Sequence, residues 1–250
     1  MIKFFRHIRR KLLSESRFNR YLIYAIGEIA LVMIGILLAL QVNNWNQNRK
    51  ESQAIQGFYM SMIDELDINI KQGLEIKRRD SLLILDHTRL LNIFNNRQID
   101  SVDVFRQLLG STATIFRSQY SFPVAEEFLE RDYLSNIEDL KIRENFTQFS
   151  SHLERIKGAN EYASSQYTNA IEPYFIKHIN YTDVAHEGFI KFLVKGGPKT
   201  DYDALFDDLS LWNIITFKLE TLSVQKRSAE NFIYFLKKHK RDLESAVAKF

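Results

Sequence analysis

The chain has 250 residues with 34 Lys and Arg against 31 Asp and Glu, a formal charge of +3, and no cysteine. The missing cysteine excludes a disulfide framework, a thiol nucleophile and a zinc–thiolate site. Three prolines, nine glycines and nineteen phenylalanines favour long helices over a turn-rich β fold.

The charge is unevenly placed. Residues 1–20 hold Lys3, Arg6, Arg9, Arg10, Lys11, Arg17 and Arg20 against Glu15, a net +6, whereas residues 43–250 sum to −2. The basic isoelectric point is thus a property of the tail, and no basic face elsewhere suggests a nucleic-acid partner. Phe5, Ile8 and Leu12 fall three and four apart among the arginines. Residues 2–13 therefore read as an amphipathic helix on an anionic inner leaflet, with Arg6, Arg9, Arg10 and Lys11 at the membrane surface. The alternative is that these charges only orient the apolar segment beyond them.

Residues 21–42, YLIYAIGEIALVMIGILLALQV, contain one charged side chain, Glu28. At about 1.5 Å per residue a helix of this length reaches roughly 33 Å, enough to cross a hydrocarbon core about 30 Å thick. A transmembrane helix is expected. The basic flank stays in the cytoplasm, so residues 43–250 should lie on the outer side, which for a bacterial inner membrane is the periplasm. A cleaved signal peptide is the competing reading, but the apolar run exceeds the usual span of about 7 to 15 residues. Leu40, Gln41, Val42 and Asn43 also form no small-x-small cleavage pattern, which favours an uncleaved signal anchor. Trp45, among Asn43, Asn44 and Asn46, is placed to mark the outer interface.

Within the span, Gly27, Glu28, Leu31, Gly35 and Ala39 share one broad helical face, and Gly35 with Ala39 is a small-xxx-small pair. Glu28 either bonds a partner helix across this face or, about 10 Å from the inner end, is protonated or reaches for the interface.

No Gly or Pro lies between Gly35 and Gly57, so the helix is expected to continue into a stalk over residues 43–54. Ile55, Tyr59, Met62 and Leu66, then more weakly Ile76, Leu83 and Leu90, follow a 3-4 spacing that predicts a helix ending near Asn92. Ser101 is placed to cap a short helix that Gly110 ends, and residues 112–116 suit an extended connector. Pro123 reads as the first-turn proline of a helix through Leu134. Ser135 and Glu138 have the form of a capping box. Ile142, Phe146, Phe149, Leu153, Ile156, Asn160, Ala163, Tyr167, Ala170 and Tyr174 then recur at 3-4 intervals, with Pro173 expected to bend the last turns. Gly196, Gly197 and Pro198 mark the sharpest turn of a break over residues 178–199. The last helix carries Ile215, Leu219, Leu222, Lys226, Ala229, Ile233, Leu236, Lys240, Leu243 and Val247. These elements predict a mainly α chain, with a transmembrane helix followed by an extracytoplasmic up-and-down helical bundle over residues 55–250.

No catalytic, cofactor-binding or metal-binding constellation emerges. Asp64, Glu65 and Asp67 crowd one turn, but no His stands three or four residues on, so a solvated face is expected. Asp201, Asp203, Asp207 and Asp208 resemble a calcium loop only superficially, because Leu205 and Phe206 fill positions that the loop needs; helix capping by Thr200 or Asp201 explains the run. His87, His152, His178, His186 and His239 form no ligand spacing. Asn145 and Asn180 begin glycosylation sequons, which such chains contain by chance.

The basic, Phe-rich start over residues 2–13, YLIYAIGEI over residues 21–29 and GILLALQVNNWN over residues 35–46 closely resemble a family of single-pass proteins of Gram-negative bacteria known as a domain of unknown function. The likeness extends more weakly to Phe122 and Pro123 and to the helical C-terminal part. It implies topology and helical character, places Glu28 inside the family-like motif, and implies no activity or cofactor. Three functions stand open: a non-enzymatic module that binds a membrane partner or self-assembles through its span, a helical-bundle sensor acting through another membrane protein, and a membrane-anchored hydrolase.

Overall fold

The computed structural model describes residues 6, 18–97, 102–131, 137 and 139–250, with the side chains of residues 18–21 and 187 left aside. It is mainly helical, with no strand among the described residues. Two compact units divide the chain, Met1–Gly57 and Phe58–Phe250. Helix α1 (Phe18–Asn96) supplies the apolar segment of the first unit and residues 58–96 of the second. The absence of Gly or Pro between Gly35 and Gly57 leaves nothing to break it, as expected. It ends four residues later than the periodicity indicates, where Arg97 takes φ 52°, the left-handed conformation that stops a helix.

In the second unit α1 buries Tyr59, Met62, Leu66, Asn69, Gly73, Ile76, Asp80, Leu83, His87, Leu90 and Phe94. The alternation of three and four is unbroken, but four of these positions are polar or glycine, which is why the apolar signal thins after Leu66. The chain then turns back. Helix α2 (Val102–Thr112), residues 113–122 and helix α3 (Pro123–Glu130) run antiparallel to α1. Thr112 lies by His87, Ser121 by Asn69 and Phe128 by Tyr59, 6.1 Å between the last two ring centroids.

Helix α4 (Leu140–Gln166) ascends again, and α9 (Leu209–Val247) packs antiparallel against it. Asn145 bonds Asp242 at one end of this pair, and Gln166 bonds Thr221 at the other. Against α1, α9 is also antiparallel, with Asp67 paired to Lys240 and Lys77 to Glu230. Asp139 caps α4 through the Lys141 amide at 3.0 Å; Ser135 and Glu138, expected to box this terminus, lie outside the described residues, as does Ser101, while α3 ends at Glu130, short of the expected Leu134.

Ahead of Pro173 the helix widens into a π turn (Tyr167–Ile171) before α5 (Glu172–His178). The Glu172 N–H reaches the Tyr167 carbonyl, five residues back. A proline removes one ladder N–H and its ring presses on the carbonyl four residues earlier, and a wider turn relieves both. Helices α6 (Tyr181–Val184), α7 (Glu187–Ile190) and α8 (Tyr202–Leu205) follow. Between α7 and α8, Gly196 at φ 122° and Gly197 at φ 97° form the expected turn, held by Asn180, whose amide donates to the Gly196 and Pro198 carbonyls at 3.0 Å each. Asp201 caps α8 and Asp208 caps α9.

Three expectations need correction. Gly110 does not end α2 but sits inside it, because a Cβ there would lie 1.7 Å from the Val184 carbonyl oxygen of α6. In α9 the most buried seam runs through Lys218, Gln225, Phe232 and His239 rather than Leu219, Lys226, Ile233 and Lys240, although Ile233 is buried beside it. The Phe232 ring fills the aromatic centre against Phe122 and Phe149, and Lys218 and Gln225 turn inward to the returning chain. Of the crowded acids only Asp64 is exposed; Glu65 is buried and Asp67 is half-buried against Lys240.

Candidate functional site

In the first unit, Gly27, Glu28, Leu31, Gly35 and Ala39 lie along α1 at the spacing that sets them on one face, all exposed. A Cβ added at Gly27 or Gly35 would meet nothing within 4 Å. Trp45 is exposed, with the Arg49 guanidinium 5.6 Å from its ring centre. Arg6 is helical and exposed, while Arg9, Arg10 and Lys11 lie outside the described residues. From Leu22 to Val42 every side chain is exposed save a half-buried Ala25. Among the described residues, α1 is the one helix long and apolar enough to cross a membrane.

In the second unit the unusual feature is the returning segment, residues 114–122, an extended strap laid among helices. An extended chain has no internal ladder, so its amides and carbonyls need outside partners. Side chains of the seams provide them. Asn69 donates to the Ser121 carbonyl at 2.7 Å and accepts its N–H at 3.2 Å. Asn160 does the same for Ser118, at 2.7 and 3.0 Å. Each carboxamide thus offers the donor and acceptor pair that a neighbouring strand would offer. Gln225 donates to the Phe116 carbonyl at 3.1 Å and Lys218 to the Thr114 carbonyl at 2.7 Å. Where α3 begins, Phe122 supplies no side-chain cap; the Glu65 carboxylate accepts the Val124 and Ala125 amides at 2.7 and 3.1 Å instead.

Burial sets the electrostatics here. Desolvation raises the Glu65 carboxyl above its usual range, against the two amide bonds that lower it. Asp80, fully buried and bonded by Arg79 at 2.7 Å, is likewise raised by desolvation. Lys218 is lowered to about 8 by burial and by the nearby Arg79 charge, with Asp80 opposing. His87 falls to about 4 through burial; one ring nitrogen meets the Leu83 carbonyl at 2.7 Å. The Arg79 guanidinium and the Lys218 ammonium both lie over the Phe116 ring, 5.4 and 6.0 Å from its centre.

The strap is thinner than a helix, so the seam between α1 and α4 stays open above it as a groove of about 980 Å³. Asn69, Gln72, Arg117, Tyr120, Lys157 and Glu161 are among its lining residues. The amides of Asn69 and Asn160 are committed to the strap backbone. Among the described residues no cluster of three or more His, Asp or Glu is placed to hold a metal ion. Sequence reasoning placed Asn160 on a core stripe without a role and passed over Asn69, Lys218 and Gln225. The available signal was a polar residue at a seam position, which demands a buried partner. The two sequon asparagines are structural: Asn145 is buried against Asp242 and Asn180 holds the glycine turn.

No family model matches the chain, and no curated protein or solved structure matches it.

Proposed function

We propose that the chain is a single-pass, membrane-anchored helical module that acts by binding a partner or by self-association, not by catalysis. The observation that carries this is the exposure of the apolar side chains from Leu22 to Val42 on one helix, broken only at the half-buried Ala25. Contiguous apolar surface of this extent is rare on soluble monomers, and its length matches the thickness of a lipid bilayer. The +6 tail favours an N-terminus in the cytoplasm of a bacterial cell, with residues 43–250 in the periplasm. Gly27, Glu28, Leu31, Gly35 and Ala39 form the face for helix–helix packing, and Arg6, Arg9, Arg10, Lys11 and Trp45 bracket the bilayer. A C-terminal alkaline phosphatase fusion tests the topology: activity is expected, and an inactive fusion or a mature chain starting near Leu40 refutes it.

The groove over the strap favours a second reading, a sensor in which a ligand between α1 and α4 shifts the packing of the strap. Ligand-induced protection of the Ser118 and Ser121 amides from hydrogen exchange would separate it from the first.

A further inference from the structure

A second apolar surface stands at the opposite end of the helical unit from Phe58. Val184 packs on Gly110 and shares a core cluster with Phe94 and Phe105, so the segment after α6 emerges where α1 ends. By helix rise that is about 57 Å along α1 from Phe58. There Phe189, Phe192 and Val194 are 56%, 74% and 89% exposed. They are carried on an ordered turn, with His186 capping α7 and the Phe192 N–H bonded to the Phe189 carbonyl at 2.9 Å. Asn180 pins the far side through Gly196 and Pro198. From Gly188 to Thr200 the charged residues are Lys191, Lys195 and Lys199, with no acid; Asp183 and Glu187 precede them, Asp201 and Asp203 follow, and Lys195 lines a pocket that Asp86, Asp103 and Asp183 also line, while Lys191 and Lys199 do not.

We propose that this turn is a membrane-surface anchor that inserts Phe189, Phe192 and Val194 into an anionic phospholipid interface while Lys191, Lys195 and Lys199 meet the headgroups. Two aromatic rings and a valine alternating with lysines supply both attractions such a surface offers, apolar insertion and charge complementarity. A protein partner fits less well. At about 200 Å² per ring the three side chains offer roughly 400 Å², against about 800 Å² that a stable interface takes from each partner. Insertion into lipid needs no complementary shape, because each side chain partitions independently. The site is separate from the 21–42 segment and does not depend on how that segment is disposed.

The chain has no cysteine, so one introduced thiol reports from one place. Full-length Val194→Cys, labelled with an environment-sensitive nitrobenzoxadiazole dye and held in neutral phosphatidylcholine nanodiscs, is titrated with vesicles of phosphatidylglycerol and phosphatidylcholine. Ser223→Cys, exposed on α9, serves as the control. The expected result is a blue shift and brightening at position 194 alone, weaker with pure phosphatidylcholine. Each lysine near an anionic surface contributes about five-fold in partitioning, so adding Lys191→Gln and Lys195→Gln should weaken the response about twenty-five-fold. Capture of the discs without any change at position 194 would assign binding to the basic tail and overturn the proposal. So would equal response to neutral and anionic vesicles, or a response to soluble polyglutamate but not to vesicles.

Discussion

Replacing Gly110 by alanine sets local propensity against tertiary packing, with opposite signs. Inside an exposed helix the change gains up to about 1 kcal/mol, because glycine is the poorest helix former after proline. In α2, however, the new methyl would stand 1.7 Å from the Val184 carbonyl oxygen and 2.8 Å from its carbon. Both atoms are backbone, so no rotamer change relieves the contact. Helix α6 must move by more than an ångström, which disturbs Val184 in a core it shares with Phe105, Leu109 and Leu211. Overpacking of this kind costs about 1–3 kcal/mol or more, which exceeds the propensity gain. The net expectation is a loss of about 2 kcal/mol, or a melting temperature lower by about 4–8 °C for a unit of this size. Gly158 in α4 is the matched control, since a Cβ there meets nothing within 4 Å; Gly158→Ala should gain about 0.5–1 kcal/mol. Urea unfolding of the full-length variants in nanodiscs, followed by circular dichroism, measures both. A Gly110→Ala chain as stable as wild type, or a Gly158→Ala chain that falls equally, would refute the packing of α2 on α6.

Asn69→Leu leaves the Ser121 amide and carbonyl without protein partners; at about 1–3 kcal/mol per buried group, reduced by the open groove above, a loss of about 2 kcal/mol is expected. Faster hydrogen exchange at Ser121 would localise it, and unchanged exchange would show that Asn69 does not hold the strap. Burial lowers His87 and His239 to about 4, so their contribution to stability is complete above about pH 6.5 and is lost as pH falls towards 4. The raised carboxyls of Glu65 and Asp80 act in the opposite sense. His239 Nδ1 has no hydrogen-bond partner, so His239→Leu should be near neutral at pH 7 and shrink the drop in urea midpoint between pH 7 and 5; an unchanged drop would exclude His239 as its source. In a membrane two-hybrid assay, Glu28→Leu and Gly35→Ile should each weaken association without affecting insertion, the polar contact accounting for about 0.6 to 2 kcal/mol. Unchanged association in both would leave the helical unit as the binding element.

Whatever depends on a few neighbouring residues was legible in the sequence. A 3-4 spacing marks helix, Pro123 opens α3, the paired glycines at 196 and 197 make the turn, Asp201 caps α8, and one apolar segment is long enough to cross a bilayer. Local signals settle these because propensity, capping and backbone φ act within a turn or two. The path of the strap could not be read this way. Asn69 meets Ser121 across 52 residues, and Gln225 meets Phe116 across 109. A polar residue on a buried seam announces that a partner exists but not which backbone group it is. The same limit applies to Glu65, whose two acceptors suit solvent equally well until the first turn of α3 meets them, and to Gly110, where a helix stop and a close approach demand the same residue. Tertiary structure decided these positions because a hydrogen bond or a steric contact depends on distance in space, and only the folded chain brings its distant segments within that distance.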